Sequence, residues 1–204
     1  KEGAAGTRFM RNVADDAIHP ASGEALMSPN PRDISRVFLT REGPMKEVPF
    51  LNMLAASWIQ FQNHDWVNHG EVMANDILEI PRPEDDPARE RYWQTKMFVG
   101  KTQPDPTRRN GQEHTPITYI NEVTHWWDGS QISGSDQETQ DRLRSGVDGK
   151  MRVRDTETGE SLLPLDDDGV EDTGFVRNWW IGLSMFHTLF TLEHNAICDL
   201  LKIQ

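Results

Sequence analysis

Two stretches of helical period do most to limit what this chain can fold into. Between residues 50 and 68, Leu51, Leu54, Ala55, Trp58, Phe61 and Asp65 fall at three- and four-residue steps, which predicts a helix. Pro49 stands just ahead of it, where proline is tolerated. From about Val176 to Lys202, Trp179, Trp180, Leu183, Phe186, Leu189, Phe190, Ile197, Leu200 and Leu201 cover more than half of a helix's circumference, which predicts a long buried helix. The sequence between is punctuated. Pro81–Arg82–Pro83–Glu84–Asp85–Asp86–Pro87 reads as a loop, and residues 87–113 are polar, with Pro104–Asp105–Pro106 forbidding a long helix. Residues 115–133 read as extended and turn-rich. Ser135 with Glu138 makes a capping box for a short helix through about Leu143. Residues 147–168 suggest a hairpin, with strands Lys150–Arg154 and Ser161–Leu165 joined at Thr158–Gly159. Residues 1–49 are mostly irregular, broken by Ser28–Pro29–Asn30–Pro31 and Gly43–Pro44, with one short piece at Ile34–Thr40. The expectation is a mainly α chain with long ordered loops, forming a single partial domain over residues 1–204.

Composition narrows the partners. Acidic residues number 33 against 21 basic ones, a formal net charge of −12. Nucleic acids and anionic membranes both need a concentrated basic surface, so neither is an expected partner. No apolar run approaches the roughly 20 residues that span a bilayer. One cysteine, Cys198, rules out an intrachain disulfide and a multi-cysteine metal site; its place on the long helix suggests packing. The start, Lys1–Glu2–Gly3–Ala4–Ala5–Gly6, has neither an initiator Met nor a signal-peptide core, which predicts a beginning inside a longer gene product. Seven tryptophans, Trp58, Trp66, Trp93, Trp126, Trp127, Trp179 and Trp180, serve first as core and pocket walls.

Three blocks could carry chemistry. In Trp58–Ile59–Gln60–Phe61–Gln62–Asn63–His64–Asp65–Trp66, Gln60 and His64 are four apart and project from one helix face. A neutral imidazole there could take a proton from the near oxygen of H2O2 and return it to the leaving oxygen, while the amide holds water or peroxide. Spacing alone still favours a core histidine bonded to a neighbouring carbonyl. In Thr124–His125–Trp126–Trp127–Asp128–Gly129–Ser130, oxygens on Thr124, Asp128 and Ser130 and the Trp126 carbonyl recur at every second residue. Such a loop can wrap Ca2+, with Asp65 as a second carboxylate. Alone, that pattern is equally a polar-faced strand ending in an Asp–Gly turn. The third block, Glu193–His194–Asn195, places polar groups near the end of an apolar helix, where buried anchoring between helices is the plainer account. His64 and His69 are five apart and share no helix face, so a zinc site there is not expected. No nucleotide-binding glycine loop or serine nucleophile elbow occurs.

Taken in order, the blocks resemble the peroxidase–cyclooxygenase (animal-type haem peroxidase) superfamily. Gln60-Phe-Gln-Asn-His64-Asp65 resembles its distal-haem helix. Thr124-x-Trp126-x-Asp128-x-Ser130 resembles its calcium loop, and His187-Thr-Leu-Phe-Thr-Leu-Glu193-His194-Asn195 its long helix. Within the superfamily, His64-Asp65-Trp66, Trp126-Trp127-Asp128-Gly129-Ser130 and Asn178-Trp-Trp-Ile-Gly-Leu-Ser look most like the fatty-acid alpha-dioxygenases. The resemblance implies a haem peroxidase fold and haem b bound on the side of His64 and Gln60. It also implies Ca2+ at Asp65, Thr124, Trp126, Asp128 and Ser130. The implied chemistry is oxidation of haem by peroxide, then of a tyrosine whose radical takes hydrogen from the fatty-acid alpha carbon for O2 to add.

Some positions depart from the pattern. Asn63 replaces the acid that esterifies haem in the mammalian enzymes, so no ester link is expected there. Arg177 corresponds to a distal arginine only with a one-residue difference in spacing. Ser133 stands where tyrosine is usual. The resemblance places a proximal histidine and radical tyrosine well downstream of Asn195, and neither Tyr92 nor Tyr119 has the required context. A second polypeptide or a missing C-terminal half is therefore the expected partner. The substrate is a fatty acid or, in a peroxidase reading, a small donor oxidised with H2O2; a calcium-stabilised scaffold without catalysis is the remaining alternative.

Overall fold

In the computed structural model of the chain, residues 3–19, 23–70, 72–92, 94–108 and 116–203 are described. Trp93 and the start of the extended stretch at Thr115 lie outside them. The chain divides into two compact units. One comprises Lys1–Thr7, Val48–Asn68 and Asn121–Gln204; the other comprises Arg8–Glu47 and His69–Ile120.

The first unit is built on two of the predicted helices. For clarity α1 denotes Met53–Trp66 and α2 denotes Ile181–Lys202. Asn52 caps α1 by accepting from the Ala55 N–H at 3.1 Å, which satisfies an amide that the helix itself leaves unpaired. α1 packs on α2 through an aromatic cluster: Phe61 stacks on Phe190 (5.4 Å between centroids), and Trp58 lies 5.5 Å from Phe186. At their near approach Gly182 faces Ser57. A Cβ at Gly182 would collide with Ser57 Oγ and lie 2.6 Å from the Trp180 ring.

α2 begins five residues later than the apolar pattern predicts. Asn178 adopts a left-handed conformation (φ +55°), which a right-handed helix cannot contain, and Trp180 is extended as the cap. The expected full burial of α2 is also corrected. Its covered face carries Gly182, Leu183, Ser184, His187 and Thr191, whereas Ile181, Leu189, Leu200 and Leu201 are exposed. Apolar residues all around a helix report a capacity for burial, and among the described residues one face finds a partner.

Between these helices run a one-turn helix α3 (Ser130–Ser133) and α4 (Gln137–Leu143). The cap of α4 is Asp136, accepting from Thr139 N at 2.9 Å, one residue beyond the predicted Ser135; Ser135 Oγ instead accepts from the Thr124 N–H at 3.4 Å. The hairpin is shorter than expected. Arg154–Asp155 (β1) pairs with Ser161–Leu162 (β2), while Met151 bridges Arg144 and Leu165 bridges Glu171. Glu193–His194–Asn195 does not join helices. Asn195 accepts from Met151 N at 2.7 Å and donates to Met151 O at 3.0 Å, and His194 Nε2 contacts the Gly149 carbonyl at 3.1 Å, so α2 anchors the loop at 149–151.

The second unit contains a helix over Pro31–Leu39 (α5), a short helix over Pro87–Tyr92 (α6), and an antiparallel pair, Val72–Pro81 (β3) with Lys96–Thr102 (β4). The pairing is irregular between Val72 and Ile77, where Asn75 and Asp76 interrupt the apolar alternation that would have announced a strand. Pro31 at the first turn of α5 and the Asn30 side chain, accepting from Arg32 N at 2.9 Å, explain where that helix starts. Asp86, in the predicted loop, is buried and takes two bonds from the Arg32 guanidinium at 2.6 and 2.8 Å. No helix among the described residues is long and apolar enough to cross a membrane.

Candidate functional site

His64 sits near the end of α1 and is 7% exposed. The Phe175 ring meets its imidazole edge-on at 4.7 Å. Phe175 is brought there by a close backbone approach: its N–H donates to Gln131 O at 2.9 Å, and the preceding Gly174 lies so near that a Cβ would collide with the Ser130 carbonyl. His64 makes no hydrogen bond to the described residues, and its Nδ1 is buried without a partner. Burial lowers its pKa below the ordinary imidazole range, so at neutral pH it is a neutral acceptor and donor. The core-histidine alternative required a bond to a neighbouring carbonyl, which is absent among the described residues.

Gln60, one turn earlier, is engaged at both ends of its amide: Trp180 Nε1 donates to its Oε1 at 2.8 Å, and its Nε2 donates to the Asn178 carbonyl at 3.2 Å. Arg177 reaches Asn68 Oδ1 (3.5 Å) and Glu122 (3.8 Å), with its guanidinium 5.9 Å from the centre of the Phe175 ring. Arg177 and His64 thus both contact the Phe175 ring. Asn63 points outward and is exposed.

Behind His64 lies polar machinery that no spacing announced. His187 is 2% exposed; Thr173 Oγ1 contacts its Nδ1 at 3.0 Å and the Gln131 carbonyl at 3.1 Å. Burial, with the charge of His64 second, holds the His187 pKa down to about 4. Gln131 Nε2 donates to Phe61 O at 3.3 Å. His187 Nε2 and Gln131 Oε1 are buried without partners, like His64 Nδ1. Unsatisfied buried polar atoms are rare and commonly mark an internal water or ligand.

Of the five predicted calcium residues, Asp65, Thr124, Asp128 and Ser130 converge, and no contact among them involves the Trp126 carbonyl. Ser130 N–H is shared between Asp65 Oδ1 (3.0 Å) and Asp128 Oδ1 (3.1 Å), and Thr124 Oγ1 lies 2.8 and 2.9 Å from the Asp128 oxygens and 3.1 Å from Ser130 Oγ. Gly129 supplies the left-handed turn (φ +73°) that folds the loop back. Burial raises the Asp65 pKa, opposed by bonds from Ser130 and Gly129, while the charge of Asp128 raises it further. Two carboxylates thus share only neutral donors, and no cationic side chain pairs with either among the described residues. No group of three or more His, Cys, Asp or Glu is placed to hold a metal ion among the described residues, so any ion here would rely on hydroxyl and carbonyl oxygens as well. An all-oxygen set of this kind fits a hard cation. Ser133, next along, bonds Gly129 O at 3.3 Å through its hydroxyl. A separate apolar cleft of ≈380 Å³, lined by Trp58, Phe61, Trp127, Ile132 and Phe190, opens on the Asp65 side and is not lined by His64.

A buried histidine with an unpartnered nitrogen stands at the end of one long helix, which packs on a second and is braced by an oxygen-rich loop, as the sequence resemblance leads one to expect. Residues 1–204 match the animal haem peroxidase family, and the chain belongs to that family. It is 35% identical over 194 residues to alpha-dioxygenase 1 of Capsicum annuum, covering 95% of this chain and 28% of the relative. It is 38% identical over 177 residues to alpha-dioxygenase 1 of Arabidopsis thaliana, covering 87% and 26%. The crystal structure of the Oryza sativa fatty acid alpha-dioxygenase superposes with a TM-score of 0.74 at 33% identity, over 98% of this chain and 30% of that one. The chain therefore spans little more than a quarter of the length of these relatives. Family membership implies a haem cofactor and confirms the expected fold.

Proposed function

We propose that this chain forms the distal side of a fatty-acid alpha-dioxygenase, with His64 as the haem-facing acid–base group. The observation that carries the reading is His64 itself: neutral, walled by Phe175, and left with an unpaired buried nitrogen in a chain of this family. When bound, haem b would supply the iron centre that accepts the oxidising equivalents of peroxide. His64 would take a proton from one peroxide oxygen and return it to the other, a role that needs the neutral ring its burial provides. Gln60 would hold the ligand by hydrogen bonding, and Arg177, whose guanidinium lies 5.9 Å from the centre of the Phe175 ring, would contribute positive charge near the pocket. Asn63 is an exposed carboxamide and forms no ester. Asp65, Thr124, Asp128, Ser130 and the Trp126 carbonyl would hold Ca2+, tying the residue next to His64 to the loop. A second polypeptide or further sequence would supply the proximal histidine.

The fatty-acid substrate is supported by the relatives' names and by the motifs shared with them. The test is haem titration of these residues together with the polypeptide that completes their proximal side, followed by O2 uptake with a long-chain fatty acid. A Soret band and fatty-acid-dependent O2 consumption are expected. A Soret band with peroxide-dependent oxidation of small phenols but no fatty-acid turnover would replace the dioxygenase by a peroxidase. No Soret band would leave a calcium-stabilised scaffold.

A further inference from the structure

Gln60 is held more firmly than a ligand-binding amide needs to be. The indole N–H of Trp180 can only donate and the Asn178 carbonyl can only accept, so the contacts at 2.8 and 3.2 Å agree on one orientation of the amide. Of its four hydrogen-bonding positions, one Nε2 proton and one Oε1 lone pair remain. The clamp has a visible structural cost. Asn178 is one of two non-glycine residues at positive φ among the described residues, and from that bend its carbonyl and the Trp180 indole two residues on both reach Gln60 of α1. Gly182 seals the arrangement, because any side chain there would strike Ser57 and the Trp180 ring. Strained backbone that persists beside a candidate site invites a functional account.

We propose that Trp180 is a positioning residue: with the Asn178 carbonyl it fixes the flip and rotamer of Gln60, so that the remaining Nε2 proton is offered to an acceptor ligand in the His64 pocket. This rests on the haem reading above. It divides the work between the two side chains. His64 carries protons, while Gln60, which does not titrate, presents a donor whose reorganisation has been completed on folding.

Fluoride is the probe, because it accepts hydrogen bonds and cannot donate them. In the ferric holoprotein, Trp180→Phe keeps an aromatic ring but removes the clamp donor, and the fluoride Kd is expected to rise about tenfold, the scale of one hydrogen bond to an anion. Gln60→Ala should do the same, and the double variant no more. Trp179→Phe, whose indole bonds Glu171 at 2.8 Å, should leave fluoride binding unchanged. Gln60→Glu guards against a misfolded Trp180 variant: it retains an acceptor for the indole but has no N–H, so it too should lose fluoride affinity. In haem-free protein, the 15N spectrum should show a slowly exchanging Trp180 indole and Gln60 amide pair, with the amide pair released in Trp180→Phe. Wild-type fluoride affinity in Trp180→Phe or Gln60→Glu would overturn the proposal, as would freely exchanging signals in the unmutated protein. Intact clamp signals without any Soret band would instead sink the haem reading, and the ligand role with it.

Discussion

His64 shows how far one residue can be read from its neighbours. Its spacing from Gln60 placed both on one helix face, but could not say whether the imidazole was satisfied; only the fold shows Nδ1 buried and unpaired. His64→Ala is therefore expected to abolish peroxide-driven haem oxidation while leaving haem bound, since this side supplies no axial ligand in the proposed reading. Stopped-flow spectra with H2O2 and the bound-haem ratio check both halves; loss of haem itself would count against the assignment. His187 gives a second, pH-based prediction. Its folded pKa of about 4 lies below the ordinary 6.5, so below pH 6.5 the unfolded chain takes up the proton that the folded one refuses. Stability should fall as pH drops from about 6.5 to about 4 and then level off for this group, with a total of roughly 3 kcal/mol as an upper limit. Urea titrations of His187→Gln across that range should show a flatter profile. An unchanged slope would show that other groups carry the acid sensitivity. Neither the Thr173 contact nor the Gln131 orphan was legible, because both arise from chain segments far apart in sequence.

At the scale of elements, legibility followed local cause. The Asn52 cap, though local, went unread; α1 was readable because its apolar period is local, and the end of α2 was readable for the same reason. The start of α2 was not, because the left-handed Asn178 is stabilised by Gln60, 118 residues earlier. β3 was missed because Asn75 and Asp76 fall in its irregular stretch, and its partner β4 lies in a segment read only as polar and unable to form a long helix. The α1–α2 contact yields a mutational prediction: Gly182→Ala inserts a methyl against Ser57 and Trp180, and should destabilise the protein by about 1–3 kcal/mol. Thermal melts check this, and Ser57→Ala paired with Gly182→Ala should recover part of the loss. The meeting of Thr124, Asp128 and Ser130 was legible from their alternate spacing, and Asp65 from its place after His64, whereas the bond from the Ser130 N–H that joins them was not visible in sequence. Ca2+ is expected to raise the melting temperature, by as much as about 4 kcal/mol of stability at a thousandfold excess over Kd. Asp128→Asn should remove most of that shift, measured by calorimetry before and after chelation. An unaltered melt on addition and removal of Ca2+ would leave the two carboxylates without their proposed ion.

For the molecule as a whole, the distribution of apolar surface outweighs its amount. The sequence pattern of α2 indicated burial on more than one side, and the first unit covers one face only. On the uncovered side Ile181 is 70% exposed, Leu200 64% and Leu201 65%, and they share one helix with the anchors of the 149–151 loop. Exposed apolar side chains in such number along one helix are uncommon on proteins that remain monomeric. The relatives extend over more than three times this length, so partner sequence to cover such a face is available in the family. The 204 residues studied by themselves should therefore self-associate and bind a hydrophobic dye. Replacing Leu189, Leu200 and Leu201 together by Gln should reduce both effects, because these side chains make up much of the outward face and little of the α1 contact. Sedimentation velocity and dye titration give the readout, with far-UV circular dichroism to show that α2 is retained. Unchanged association after that substitution would place the sticky surface elsewhere, the ≈380 Å³ cleft beside Trp58 and Trp127 being the next place to mutate.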